Sequence, residues 1–197
     1  MGGFGVIRIF LAAGVALVVS LAGTWYLIYK LTKLKIGQPI HEDAPEGHTV
    51  KAGTPTMGGI AIVVAAVISY AVSGFYRGIY TQRGILVVCA IAGAGFVGFL
   101  DDWIKIRNER NLGLNKGSKM FGLLAVAVTF SVLIVTQTQQ HTEISFTRYN
   151  TFDGGWADLG KVGWVIWAVL LITGFSNAVN LTDGLDGLAA GAAIFSF

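Results

Sequence analysis

The chain has 197 residues, of which 54% are hydrophobic and only 13% charged, and it carries a formal net charge of +3. Soluble domains average about 25% charged residues. A mean hydropathy of +0.66 therefore excludes an ordinary soluble domain and points to an integral membrane protein.

A membrane-spanning helix needs about 20 mainly apolar residues. Five runs qualify in chain order: Phe4–Tyr29, Met57–Phe75, Gly84–Leu100, Met120–Thr136 and Val162–Leu181. The first is too long for the apolar core of a signal peptide and lacks a convincing small-residue cleavage site, so it counts as a span. A sixth run, Leu188–Phe197, stops after ten residues. At 1.5 Å per residue it reaches about 15 Å, half of a hydrocarbon core of about 30 Å. The expected fold is all-α and polytopic, a single transmembrane domain over residues 1–197 with five complete transmembrane helices and a truncated sixth. Cys89 is the single cysteine and falls inside the third run, where a small buried apolar role is expected.

Positive residues set the expected orientation. Lys30, Lys33, Lys35 and Lys51 follow the first run, and Lys105, Arg107, Arg110, Lys116 and Lys119 follow the third. The other side holds Arg8, Arg77, Arg83, Arg148 and Lys161. Nine against five places the first group in the cytoplasm and the N-terminus outside. The first, third and fifth runs then end at one face. Asp101-Asp102, the Asn177–Gly187 segment and the Gly-rich Lys51–Gly59 segment all meet the cytoplasmic interface. The opposite connection, 137–161, reads as an ordinary polar loop.

Polar and ionisable groups at membrane depth are costly and mark functional sites by default. Asp101 and Asp102 are followed by Lys105, one helical turn after the first. Adjacent helical positions point about 100° apart, so the two carboxylates have different surroundings. The same residues also describe a solvated helix end with an Asp–Lys pair. Asn177, Asn180 and Asp183 recur at every third position and form one polar stripe if the helix continues, with Asp186 close behind. Asn residues alone would serve hydrogen bonding between helices. Lys51–Gly59 offers a cation, two Thr hydroxyls and three Gly, a composition that can present backbone N–H groups to phosphate. It is not a Walker loop, because no Gly-Lys-Ser/Thr tripeptide ends it. Carboxylates, lysines and a Gly/Thr loop suit a Mg²⁺–phosphate site. His41, His48 and His141 have no compelling Ser partner for a catalytic triad, and nothing points to nucleic acid.

These blocks, with Gly37-Gln-Pro-Ile40, Gly98–Lys105 and Asn111-Leu-Gly-Leu114, closely resemble the bacterial phospho-N-acetylmuramoyl-pentapeptide transferases (MraY type). Those enzymes belong to the polyprenyl-phosphate N-acetylhexosamine-1-phosphate transferases. The resemblance implies transfer of phospho-MurNAc-pentapeptide from UDP-MurNAc-pentapeptide to undecaprenyl phosphate, giving lipid I and UMP in peptidoglycan synthesis. It implies Mg²⁺ as cofactor, a multi-pass place in the bacterial inner membrane with the site facing the cytoplasm, and a homodimer.

By motif position, the resemblance makes Asp101 the candidate to accept or orient the lipid phosphate, with Asp102 supporting metal or substrate. Asn180 and Asp183 would lie at the metal–pyrophosphate centre. Gly184, Leu185 and Asp186 would contact the nucleotide, supported by Asn177. Lys51, Thr56 and Lys119 would contact donor phosphate or sugar. Direct attack and a covalent Asp intermediate both stay open. Family members have about ten spans and a later Asp-bearing motif, so the 197 residues are expected to be the N-terminal part of a larger transferase and inactive alone. The alternatives are a GlcNAc-1-phosphate transferase and an ion-coupled transporter, the latter expecting charges near mid-membrane and inverted repeats.

Overall fold

A computed structural model describes residues 2–34, 57–75, 78, 80–108, 113–144, 157–182 and 188–196. Helix dominates: α1 (Gly2–Lys33), α2 (Gly59–Phe75), α3 (Gln82–Arg107), α4 (Lys116–Gln137), α5 (Gly160–Thr182) and α6 (Leu188–Ser196). Helices follow from the apolar runs, because a chain in lipid must satisfy its backbone hydrogen bonds internally. Four of them, α1, α3, α4 and α5, are long and apolar enough to cross a membrane. The fifth expected span, α2, has 17 residues and reaches only about 26 Å. It ends at Phe75 as expected and lacks the first two positions of the expected run, where Met57 takes φ 73° outside the helix.

The chain divides into two compact units, Met1–Gly122 and Leu123–Phe197. In the first, α1 and α2 are antiparallel: Arg8 Nε donates to the Ser73 carbonyl at 3.2 Å, while Gly23 comes against Ala61. Ala61, Ala65, Ser69 and Ser73 form a buried seam with one small residue per turn. Small residues let helix backbones approach closely where lipid supplies no hydrophobic drive. α3 runs back along α2, with Gly95 beneath Val63 and Gly84 beneath Tyr70. The connection between them is pinned by two hydroxyls, Tyr70 Oη to the Thr81 carbonyl (3.2 Å) and Tyr80 Oη to the Ala71 carbonyl (2.8 Å). The start of α4 is antiparallel to α3 in turn, with Gly122 against Val97.

Two expectations are corrected. Cys89 is exposed on α3 rather than buried, because its side of the helix faces away from α2. The connection 137–161 is more than a loop: β1 (Glu143–Ile144) and β2 (Ala157–Asp158) pair antiparallel, Glu143 opposite Asp158. Thr142 Oγ1 and the Gly160 N–H both donate to Asp158 Oδ1, at 2.6 and 2.9 Å. These two donors hold the Asp158 carboxyl below its ordinary 3.8, the Thr142 hydroxyl contributing most. Gly160 takes φ +60°, the left-handed conformation that glycine adopts without a steric cost, and α5 starts there.

Candidate functional site

Near the end of α3 the two adjacent carboxylates part company, as the 100° helical step requires. Asp101 is 5% exposed, whereas Asp102 remains partly open to solvent. The helix closes at Asn108, whose N–H reaches the Ile104 carbonyl at 3.0 Å. The chain re-enters helix at Asn115, whose Oδ1 accepts the Ser118 N–H and so caps α4. Just before that cap, Leu114 donates its backbone N–H to Asp101 Oδ1 at 2.9 Å.

The other carboxylate oxygen meets two ammonium groups. Lys105 Nζ lies 2.8 Å from Asp101 Oδ2, and Lys119 Nζ lies 3.3 Å from the same atom. Lys105 also reaches Asp102 Oδ1 at 3.1 Å. A buried charge is tolerated only when paired and hydrogen-bonded, and both oxygens of Asp101 are so engaged. Gly113 makes the approach possible. A Cβ there would press on the Asp101 carboxylate and sit 2.6 Å from its backbone carbonyl oxygen.

Lys116 and Lys119 occupy the first turn of α4, which carries no acidic residue. Cations there oppose the helix dipole, typically by about 0.3–1 kcal/mol each. For Lys119 the compensation is its ion pair with Asp101. Met57 enters α2 at this same end of the unit, because α2 and α3 are antiparallel and Val63 and Gly95, each six residues from Met57 and Asp101, lie together. Met57 is buried and has φ 73°, an uncommon conformation for a bulky side chain. In the Thr-Pro-Thr-Met-Gly-Gly stretch the left-handed turn thus falls on Met57, not on Gly58 or Gly59.

The structure gathers Asp101, Asp102 and Lys119 into one cluster and adds Lys105, Gly113 and the Leu114 N–H to it. The last two were missed as site residues, and only the Asn-Leu-Gly-Leu114 block hinted at them. On α5, in the second unit, Asn177 Nδ2 donates to the Thr173 carbonyl at 2.8 Å, one turn back along its own helix. Asn180 is exposed on the same helix. Lys51, Thr56, Asp183, Gly184, Leu185 and Asp186 lie outside the described residues. Among the described residues no three His, Cys, Asp or Glu side chains group to hold a metal ion. Asp102 in the first unit and Asn180 in the second each carry a side-chain oxygen, the ligand type that Mg²⁺ prefers.

Residues 84–197 match the family model described as glycosyl transferase family 4. Residues 51–63 match the phospho-N-acetylmuramoyl-pentapeptide-transferase signature 1. Three relatives bear the name phospho-N-acetylmuramoyl-pentapeptide-transferase. That of Beutenbergia cavernae is 45% identical over 97% of this chain and 56% of its own length. That of Streptomyces avermitilis is 45% identical over 96% and 54%. That of Saccharopolyspora erythraea is 45% identical over 94% and 52%. The chain spans about half the length of the curated relatives it matches.

Proposed function

Because the chain belongs to glycosyl transferase family 4 and carries the phospho-N-acetylmuramoyl-pentapeptide-transferase signature, we propose that it forms part of an enzyme of that activity. The reaction moves phospho-MurNAc-pentapeptide from its UDP carrier to undecaprenyl phosphate, releasing UMP and leaving lipid I in the membrane. The observation that carries this reading is the first turn of α4, with Lys116 and Lys119, tied through Lys119 to a buried Asp101 that Lys105 of α3 also meets. The signature segment begins α2 at the same end of the unit. A substrate pair bearing a pyrophosphate and a lipid phosphate needs lysines of this kind at a membrane surface.

Phosphoryl transfer depends on positioning and charge neutralisation more than on covalent protein chemistry. Lys119, with Lys51 and Thr56, contacts the donor phosphates or sugar. Asp102 faces the substrate from the partly open side of α3. Asn180 and Asp183 would hold Mg²⁺, for which one or two carboxylates suffice when substrate phosphates complete the shell. The ion would neutralise pyrophosphate oxygens and polarise the phosphoryl group. Asn177, Gly184, Leu185 and Asp186 border the nucleotide. A lipid phosphate is ionised at neutral pH, so direct attack needs no strong general base. The lysine bias orients the N-terminus outside and the site toward the cytoplasm of the inner membrane, and the intact protein forms a homodimer.

UMP release by the intact protein in membranes tests the proposal. With undecaprenyl phosphate and Mg²⁺, UDP-MurNAc-pentapeptide is turned over and UDP-GlcNAc is not, and chelation of the metal stops the reaction. Turnover of UDP-GlcNAc instead would assign the protein to the sister GlcNAc-1-phosphate transferases.

A further inference from the structure

The end of α1 carries aromatic and cationic groups that the transferase reading does not use. α1 meets α2 on the side of Gly23, which comes against Ala61. At about 100° per residue, Trp25, Tyr29 and Lys33 lie roughly 200°, 240° and 280° round from that side. They share a face turned away from α2, with Tyr26 and Lys30 along its edge. Trp25 is 72% exposed and Tyr29 59%. Their rings stack with centroids 6.3 Å apart and planes 13° apart, so they form one flat wall. Val18 continues the same face toward the middle of the helix and is exposed too.

Lys30 and Lys33 fall in the last turn of α1, and no acidic residue precedes Glu42 in the chain to balance them. A lysine at the rim of a span ordinarily extends its amine outward to water. Lys30 instead folds one turn back, with Nζ 5.4 Å from the centre of the Tyr26 ring. The charge is drawn down to the level of the aromatic rings, the layer where headgroups meet acyl chains. The anions of that layer are lipid phosphates.

We infer that this face of α1 binds an anionic phospholipid of the leaflet in which α1 ends. The Lys30 and Lys33 amines take the headgroup phosphate, the Trp25–Tyr29 wall and the Tyr26 ring hold the glycerol and ester region, and Val18 carries an acyl chain. The lengths agree. From Val18 to Lys33 the helix rises about 22 Å, and one leaflet with its headgroups is about 20–22 Å deep. A zwitterionic lipid brings an ammonium beside its phosphate and gains less from two lysines, so the site selects for net negative charge. The flat wall turns a diffuse attraction into a fixed position, because two stacked rings lose little freedom when a lipid settles on them.

The first test reads the lysines one by one. The intact protein is placed in nanodiscs of phosphatidylcholine alone or of an equal mixture with phosphatidylglycerol. Brief acylation with an amine-reactive reagent, followed by peptide mass spectrometry, reports how open each lysine is. Phosphatidylglycerol should slow acylation of Lys30 and Lys33 about fivefold, the strength of one lysine in a basic cluster at a membrane surface, and that of the exposed Lys116 much less. Trp25→Ala combined with Tyr29→Ala keeps every cation but removes the wall, so the protection should disappear. Equal slowing at Lys116, or protection that survives loss of the wall, would leave only a diffuse surface potential and overturn the site. Protection already complete in phosphatidylcholine alone would mean that protein, such as a second copy of the chain, covers this face, and would overturn it as well.

The second test counts lipids. Native mass spectrometry of the intact protein, taken from the mixed nanodiscs into mild detergent, reads how many phospholipids of each kind stay bound. Lys30→Gln combined with Lys33→Gln should remove one phosphatidylglycerol from the count and leave the phosphatidylcholine unchanged. Lys30→Arg combined with Lys33→Arg keeps both charges and should keep that lipid. An unchanged count in the glutamine variant, or an equal loss of both lipids, would overturn the inference. All four substituted side chains lie on exposed positions of α1, away from the Gly23–Ala61 contact, so packing on α2 is left in place. Neither readout needs turnover, and the site stands or falls apart from the transferase reading.

Discussion

The Leu114 backbone N–H donates to the Asp101 carboxylate at 2.9 Å, a hydrogen bond that ties the start of α4 to the end of α3. Nothing in the side chain of Leu114 announces this contact. It depends on the N–H alone, and on a glycine at 113 that lets the backbone come close.

Removing the Asp101 carboxylate leaves two ammonium groups without the charge they share. Asp101→Ala is expected to destabilise the protein by about 1.5–3 kcal/mol, the scale of hydrogen bonds to a charged group, because the lysines left behind are themselves 33% and 28% exposed. Asp102→Ala, at a side chain 32% exposed, should cost no more than about 1 kcal/mol. Thermal unfolding of the two variants in the same detergent checks the ranking. Equal losses would mean that Asp101 is no more enclosed than its neighbour.

Gly95 sits so close to Val63 that an added methyl would lie 2.6 Å from the valine Cγ2. Gly95→Ala should therefore cost about 1–3 kcal/mol through overpacking between α2 and α3. Val63→Ala in the same chain should recover most of the loss. A double-mutant cycle on unfolding free energy measures it, and simple additivity would show that the two residues do not meet.

The β1–β2 ribbon should respond to acid. The Thr142 hydroxyl and the Gly160 N–H lower the folded pKa of Asp158 below 3.8, so the carboxylate's contribution is present at neutral pH. As pH falls past the ordinary carboxylate value and through the lowered folded one, that contribution is lost. Amide chemical shifts of Leu159 and Gly160 should titrate together with a midpoint below 3.8. Asp158→Asn should abolish the transition, and a midpoint above 3.8 would reverse the assignment of donors.

Orientation is open to direct measurement. With Cys89 replaced by Ala, a single cysteine at Leu34, just past α1, should react with an impermeant thiol reagent only from the cytoplasmic side. A cysteine at Tyr80 should react only from outside. The reverse pattern would invert the topology and remove the cytoplasmic placement of Asp101.

Much of the helical framework was legible in the apolar runs, because a lipid-exposed helix declares itself by composition. α3, α4 and α5 fall where expected and extend a few residues past the apolar core. α1 begins two residues before its run and continues to Lys33. The unequal fates of Asp101 and Asp102 followed in outline from the helical step, but not which of them would turn inward. That choice depends on the Gly113–Leu114 turn, a tertiary contact without periodicity. Lys119 was named from family resemblance alone, since a lysine after a glycine-rich connection has no signature of its own. The ribbon at Glu143–Asp158 escaped because two residues per strand are too few for an alternating pattern. Cys89 was misjudged because an apolar run does not reveal which side of a membrane helix faces protein and which faces lipid.

The contacts that build the Asp101 cluster join residues only 13 and 18 positions apart. Closing so short a loop costs little chain entropy, and the cost grows only with the logarithm of loop length. A nascent chain that has released the first turn of α4 already holds every group the cluster requires. The Asp101 cluster can thus be complete while α5, with its two asparagines, is still being synthesised. Order of synthesis then lets this cluster form before the second unit has been made.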